Sequence, residues 1–124
     1  MKRHVLIVDD EFGLAETIAD LLTDRGFHVV IAMNGRLAWE LIEQRAPQLI
    51  LLDVMMPVMD GPTLLARLRQ DERFAKIPVI LMSSLPPQRF ASLSGLYQAA
   101  VRKPFSPEQL FSLVERYSAA ASKE

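Results

Sequence analysis

The chain has 124 residues, half of them hydrophobic and 23% charged, with a formal net charge of −1 and no cysteine. That length suits one core and not two; the balanced charge and the lack of a Lys/Arg stripe argue against direct nucleic-acid binding. Missing cysteines exclude disulfides, thiolate metal sites and a cysteine nucleophile. No apolar run approaches the ~20 residues of a membrane span, and the apolar stretch before Asp9 is too short for a secretion signal, so a cytoplasmic chain without membrane association is expected.

Taken in chain order, residues 5–8 (VLIV) read as a buried strand. Leu14, Ile18, Leu21 and Leu22 then recur at helical spacing, and Gly26 is a natural stop. Residues 29–31 form a second strand; Asn34-Gly35 turns into a helix with Ala38, Trp39 and Ile42 on its buried stripe, spent by Pro47. Residues 49–52 (LILL) are a third strand, ending in Asp53. Residues 63–73 carry Leu64, Leu65 and Leu68 on one helical side and Arg67, Arg69 and Asp71 on the other, and residues 78–82 make a fourth strand. Pro86-Pro87 fit only before or in the first turn of a helix, so Phe90, Leu93 and Leu96-Tyr97 suggest a short one. Residues 99–102 are a weak fifth strand. Ser106-Pro107-Glu108-Gln109 starts the last helix: Ser as N-cap, Pro at the first helical position, Gln closing a capping box. Leu110, Leu113, Val114 and Tyr117 form its apolar face, and the division expected is a domain over residues 1–119 with a tail or linker start at 120–124.

Five alternations of apolar strand and amphipathic helix imply an α/β, doubly wound parallel sheet with helices on both faces. Ligands in such folds bind outside the carboxyl ends of the strands. Strand one runs into Asp9-Asp10 and then Glu11, strand three into Asp53, strand four into Ser83-Ser84 and strand five into Lys103-Pro104. If the strand order is 2-1-3-4-5, these ends share one edge. Singly, each has an ordinary reading: an aspartate as helix cap, a serine in a turn, a solvated lysine. Together they place three carboxylates, a hydroxyl and an amine around one shallow pocket. Two carboxylates ~5 Å apart repel by roughly 3 kcal/mol at an effective dielectric of ~20, so three call for a cation. Oxygen ligands with room for water suit Mg²⁺, with Mn²⁺ as the substitute. A carboxylate beside such an ion and a lysine is placed to attack a phosphoryl group.

His4 and His28 lie at the opposite edge and read as surface residues, while Gly35 and Gly61 read as isolated turn glycines. There is no P-loop, no GxGxxG and no G-x-S-x-G elbow.

The stretches HVLIVDDE, LILLDVMMPVMDG, IPVILMSS and RKPF, in that order and spanning the chain, resemble the receiver domain of two-component response regulators. The resemblance implies the flavodoxin-like order 2-1-3-4-5 and a phosphoryl-accepting switch that is not a turnover enzyme. It implies Asp53 as phosphoacceptor, Asp9 and Asp10 as the acid pair at the metal, and the Met55 backbone carbonyl as a further ligand. Ser83 matches the switch hydroxyl and Lys103 the lysine on the phosphoryl group. Pro104 matches a proline commonly preceded by a cis peptide, and Pro57 and Gly61 match the loop after the phosphoacceptor. The implied partners are a histidine kinase or phosphotransfer protein, and an output protein or effector domain at the face of helix four, strand five and helix five. A homodimer is a further option.

One region departs from the family pattern. Ala100 holds the place of the aromatic switch residue, three before Lys103, and Leu96-Tyr97 stand where a Gly-Ala turn is usual. The stretch from Ser83 to Lys103 is about two residues short, so an atypical, short fourth helix is expected and the usual hydroxyl-to-aromatic coupling cannot operate; Tyr97 is a candidate substitute. Two rival readings follow: a receiver-like interaction module with a weakened or non-standard phospho-switch, and a small metal-dependent phosphohydrolase. The latter wants a proton donor two residues after the nucleophile, where this chain has Met55.

Overall fold

The computed structural model describes residues 3–56 and 58–122, with backbone alone at 119–122. Pro57 therefore lies outside the described residues. The elements run β1 (His4–Val8), α1 (Phe12–Asp24), β2 (His28–Ala32), α2 (Gly35–Gln44), β3 (Leu49–Asp53), α3 (Gly61–Gln70), β4 (Val79–Ser83), a 3₁₀ segment (Pro87–Leu93), β5 (Ala99–Arg102) and α4 (Pro107–Ser122). All strand pairs are parallel, in the order β2-β1-β3-β4-β5.

The three inner strands, β1, β3 and β4, are buried at every position. This is why they read as unbroken apolar runs: both faces of a parallel sheet are covered, so neither side chain of the alternating pair meets water. Alternation instead sorts residues between two cores. Leu6, Val8, Ile50, Leu52, Val79 and Leu81 point into the layer under α2 and α3. Val5, Ile7, Leu49, Leu51, Ile80 and Met82 point into the layer under α1 and α4. Each fully buried Leu, Ile or Val side chain contributes about 1.5–3 kcal/mol through removal from water. The edge strands β2 and β5 are only partly covered, and their sequences are correspondingly mixed.

Helix ends follow local chemistry. In α1, Gly26 takes φ +93°, its N–H bonds to the Thr23 carbonyl, and the Phe27 N–H reaches back to the Leu22 carbonyl. This is a Schellman stop, sealed by two buried side chains, Leu22 and Phe27. Asn34 Oδ1 accepts from Leu37 N–H at the start of α2, Asp60 Oδ1 from Thr63 N–H at α3, and Ser106 Oγ from Gln109 N–H at α4.

The fourth helix is indeed atypical: seven residues in 3₁₀ geometry, with Pro86 at the cap and Phe90 in a non-helical conformation (φ −130°, ψ 34°). Two prolines remove early donors, and so short a segment cannot offset α-helix nucleation. Burial of Phe90 and Leu93 holds it to the core.

Two sequence expectations need correction. His4 is not a surface residue: it opens β1, only 6% exposed, with Nδ1 buried and lacking a hydrogen-bond partner. Its ring sits 5.0 Å from that of His28, because register pairs the first residues of β1 and β2. Burial, then the Arg45 and His28 charges, push its pKa down. Gly35 and Gly61 are not simple turn glycines either. A Cβ on Gly35 would strike the Met59 carbonyl oxygen, and one on Gly61 the carbonyl oxygen of Asp53.

Candidate functional site

The sheet order turns back between β1 and β3, since the chain leaves β1 toward β2 on one side and β3 lies on the other. A crevice opens at the carboxyl ends of these strands. The ladder hydrogen bonds run one residue past the strands and pin the site: Asp9 N–H to the Ala32 carbonyl, Val54 N–H to the Met82 carbonyl, and Lys103 N–H to the Ser83 carbonyl at 2.8 Å. The Lys103–Pro104 peptide is cis.

These backbones bring the expected residues together. One carboxylate oxygen each from Asp9, Asp10 and Asp53 lies within 4.8 Å of the others. Asp9 is fully buried, Asp53 is 6% exposed, and Asp10 faces solvent. Lys103 Nζ stands 3.2 Å from Asp9 Oδ2, 3.6 Å from Asp53 Oδ1 and 4.0 Å from Glu11 Oε1. Asp9 Oδ1 accepts from the Glu11 N–H at 2.9 Å, and Asp53 Oδ1 accepts a long 3.4 Å bond from Met55 N–H.

The electrostatics are those of an acid cluster with too little positive charge. Burial and the neighbouring Asp9 carboxylate push the Asp53 pKa up to about 6, against the lowering pull of the Lys103 ammonium and the Met55 amide. Burial alone would lower the Lys103 pKa; the Asp53 and Asp9 carboxylates outweigh it, and the net shift is upward. Lys103 thus stays an ammonium, and one lysine faces two buried or nearly buried acids with Asp10 at the rim. The donor set is all oxygen, with no thiolate in the chain and both histidines at the far edge. It fits a hard divalent cation such as Mg²⁺ held by one or two carboxylates and water.

Ser83 is buried at the end of β4, and its Oγ accepts from the Leu85 N–H at 2.9 Å, which ties the oxygen to the following loop while the hydroxyl proton takes no part in that bond. An open cleft of about 550 Å³ above the acids is lined by Ser84 on that side, with Asp10, Asp53, Met55 and Lys103 around it. Ala100, in the place of the aromatic, is exposed on β5.

Sequence reading gave no role to Glu11. Glu11 had been visible only as the residue after the acid pair, yet it is the third carboxylate near Lys103. Phe12, Met55 and Val58 are apolar side chains each more than half exposed, and of these Met55 lines the cleft over the acids. Val58 and Met59 adopt positive φ (48° and 65°), rare for a β-branched residue. This bend directs Met59 against Gly35 and leaves Val58 in solvent. Met56 and Met59 pack on the core; Val58 does not. Apolar character alone could not tell them apart.

Residues 5–115 match the family model for the response regulator receiver domain. The response regulator Rre1 of Synechocystis is 35% identical over 113 residues, covering 89% of this chain and 49% of that protein. The sensor histidine kinase TmoS of Ectopseudomonas mendocina is 38% identical over 109 residues, 86% of this chain and 11% of the kinase. Among solved structures, a putative response regulator from Chloroflexus aurantiacus superposes with a TM-score of 0.89 at 28% identity, covering 96% of this chain and 99% of that one. The chain spans about half the length of the first curated relatives it matches.

Proposed function

The chain belongs to the response regulator receiver-domain family, and on that premise we propose that it is a phosphoryl-accepting switch with Asp53 as the acceptor. Receiver domains are phosphoacceptor signalling modules of two-component systems, not turnover enzymes. The observation that carries the assignment of Asp53 is its placement: a nearly buried carboxylate 3.6 Å from the Lys103 ammonium, in the same cluster as Asp9 and Asp10.

In the proposed step, a carboxylate oxygen of Asp53 attacks the phosphorus of a phosphohistidine. An O–P bond forms, the P–N bond breaks, and the histidine nitrogen leaves with the electron pair. Asp53 is held in place for this by the β3 ladder and by Met55 N–H. Lys103 donates to a phosphoryl oxygen and offsets its charge, charge-assisted hydrogen bonds being among the stronger ones. Ser83, once turned from Leu85, donates to another. Asp9, Asp10, Asp53 and the Met55 carbonyl would hold Mg²⁺ (or Mn²⁺), which supplies neutralisation of the phosphoryl oxygens when bound.

The partners in this reading are a histidine kinase or phosphotransfer protein on the input side, in the cytoplasm. On the output side stands a protein or effector domain, or a second copy of the chain, at the face of the 3₁₀ segment, β5 and α4. A sensor histidine kinase and a response regulator among the relatives support that pairing. An acyl phosphate carries about −1.5 to −2 charges where the Asp53 carboxylate carried −1, and carrying a two-state domain from 1:99 to 99:1 takes about 5.5 kcal/mol of differential stabilisation. Incubation with Mg²⁺ and a small-molecule phosphodonor should add one phosphoryl group by mass spectrometry, and Asp53→Asn should abolish it. An adduct that survives that substitution, or none in the parent, sinks the assignment.

A second reading, an interaction module with a weakened phospho-switch, is favoured by one observation: exposed Ala100 offers no ring to respond to Ser83. If beryllofluoride, a phosphoryl mimic, leaves partner binding and oligomeric state unchanged, that reading gains.

A further inference from the structure

The connection from β4 to β5 is hung between two polar ties. At its near end, the Leu85 N–H bonds to Ser83 Oγ at 2.9 Å. At its far end Arg69, reaching from α3, donates through Nε to the Leu96 carbonyl at 2.8 Å and through Nη1 to the Ala75 carbonyl at 3.0 Å. Gln98 completes that tie: its Oε1 accepts from Val79 N–H at 2.7 Å. Between the ties the 3₁₀ segment is broken at Phe90, whose ring is buried. Tyr97, beside the Arg69 tie, packs edge-on against Phe90, with centroids 6.0 Å apart and ring planes at 68°. Against the segment opens a cleft of about 410 Å³, lined by Leu85, Phe90 and Leu93 and by Met55 and Met56.

We propose that this connection is a latch with a hinge: Ser83–Leu85 is the latch, Phe90 the hinge, and the Phe90–Tyr97 ring pair the element that registers the state of Asp53. The inference rests on the phosphoacceptor reading and adds to it the route by which this chain reports phosphorylation without a ring on β5. A Ser83 hydroxyl that turns to a phosphoryl oxygen on Asp53 leaves the Leu85 amide. The near end of the segment is then free, while Arg69 still holds Leu96. Movement is absorbed where the helix is already broken, at Phe90, into the cleft lined by Met55 and Met56. Tyr97 is fixed on one side by the tie and touches the hinge on the other, so its environment changes most. Ala100, a single exposed methyl group, can neither fill nor vacate such a space.

The test uses the chain labelled with fluorotyrosine, which has two sites, Tyr97 and Tyr117. Phosphodonor and Mg²⁺ are added, the adduct is followed by mass spectrometry, and fluorine and amide NMR spectra are recorded on the same sample. As the adduct forms, the Tyr97 signal should move by more than its linewidth, the Leu85 amide should shift, and the Tyr117 signal, in the other core, should stay. In Phe90→Leu the adduct should form as before and the Leu85 amide still shift, with the Tyr97 response lost. Full adduct with Leu85 and Tyr97 both unmoved overturns the latch and leaves the phosphoacceptor reading intact, and no adduct overturns both. A Tyr97 response that persists in Phe90→Leu removes the hinge, and if that variant does not fold, the two parent signals decide.

Discussion

Two stretches meet at the carboxyl edge of the sheet and are held there in different ways. Asp9 and Asp53 follow or end inner strands buried at every position, with ladder bonds continuing to Asp9 and Val54. Residues 84–98 have no ladder until Gln98, and are held by the Ser83–Leu85 bond, by Arg69 and the Gln98 side chain, by a few short backbone bonds and by the buried Phe90 and Leu93. Acid chemistry needs carboxylates that cannot back away from one another, and full burial on both faces supplies that. A reporting segment needs the opposite: few contacts, each breakable alone. The contrast teaches that the acid cluster and the β4–β5 connection share an edge but not a mode of support.

The comparison is broken most severely in the rigid part. Leu51→Ala, in a fully buried strand, should cost about 2–5 kcal/mol in denaturant unfolding, with loss of the acid geometry. Next is the strain the rigid part carries. Asp53 has a folded pKa of about 6 against an ordinary 3.8, so the folded state binds more protons between these values. Stability of the metal-free chain should therefore be highest below about pH 4 as far as this group is concerned, and fall by roughly 3 kcal/mol at most as pH rises past 6. Asp53→Asn should remove that decline in melts run with chelator, and Mg²⁺ should reverse it in the parent. At the β4–β5 connection, Arg69→Met leaves the Leu96 and Ala75 carbonyls without their charged donor. It should cost about 1.5–3 kcal/mol and speed amide exchange around residues 94–98, with the amides of β1 and β3 unaffected. Smallest is Ala100→Tyr: on an exposed face it should change stability by under about 0.5 kcal/mol, which a melting curve checks.

Much of what holds the β4–β5 connection was not legible in the sequence. Arg69 sat on the polar side of a helical repeat and read as solvated; its partner Leu96 is 27 residues away, and a long side chain reaches where periodicity cannot. Arg67, on the same side, lies over the Trp39 ring at 4.2 Å. His4 read as surface because an imidazole before an apolar run gives no sign of register, and register alone sets it against His28. Gly61 looked like any turn glycine until the Asp53 carbonyl came against its Cα.

What the sequence by itself determined is the scaffold: uninterrupted apolar runs at residues 5–8, 49–52 and 79–82, acids at the carboxyl ends of the first two, a serine at that of the third and Lys103 after residues 99–102, and a side-chain cap at Ser106. Such features are local, since burial on two faces and capping are each written in a few adjacent residues. Tertiary structure alone decided how Lys103 is shared between Asp9 and Asp53, that Ser83 is tied to Leu85, that the 3₁₀ segment breaks at Phe90, and that Arg69 holds its far end. Most of these depend on distances between residues far apart in the chain, and the others on how the short connection closes between fixed strands, which no local pattern encodes.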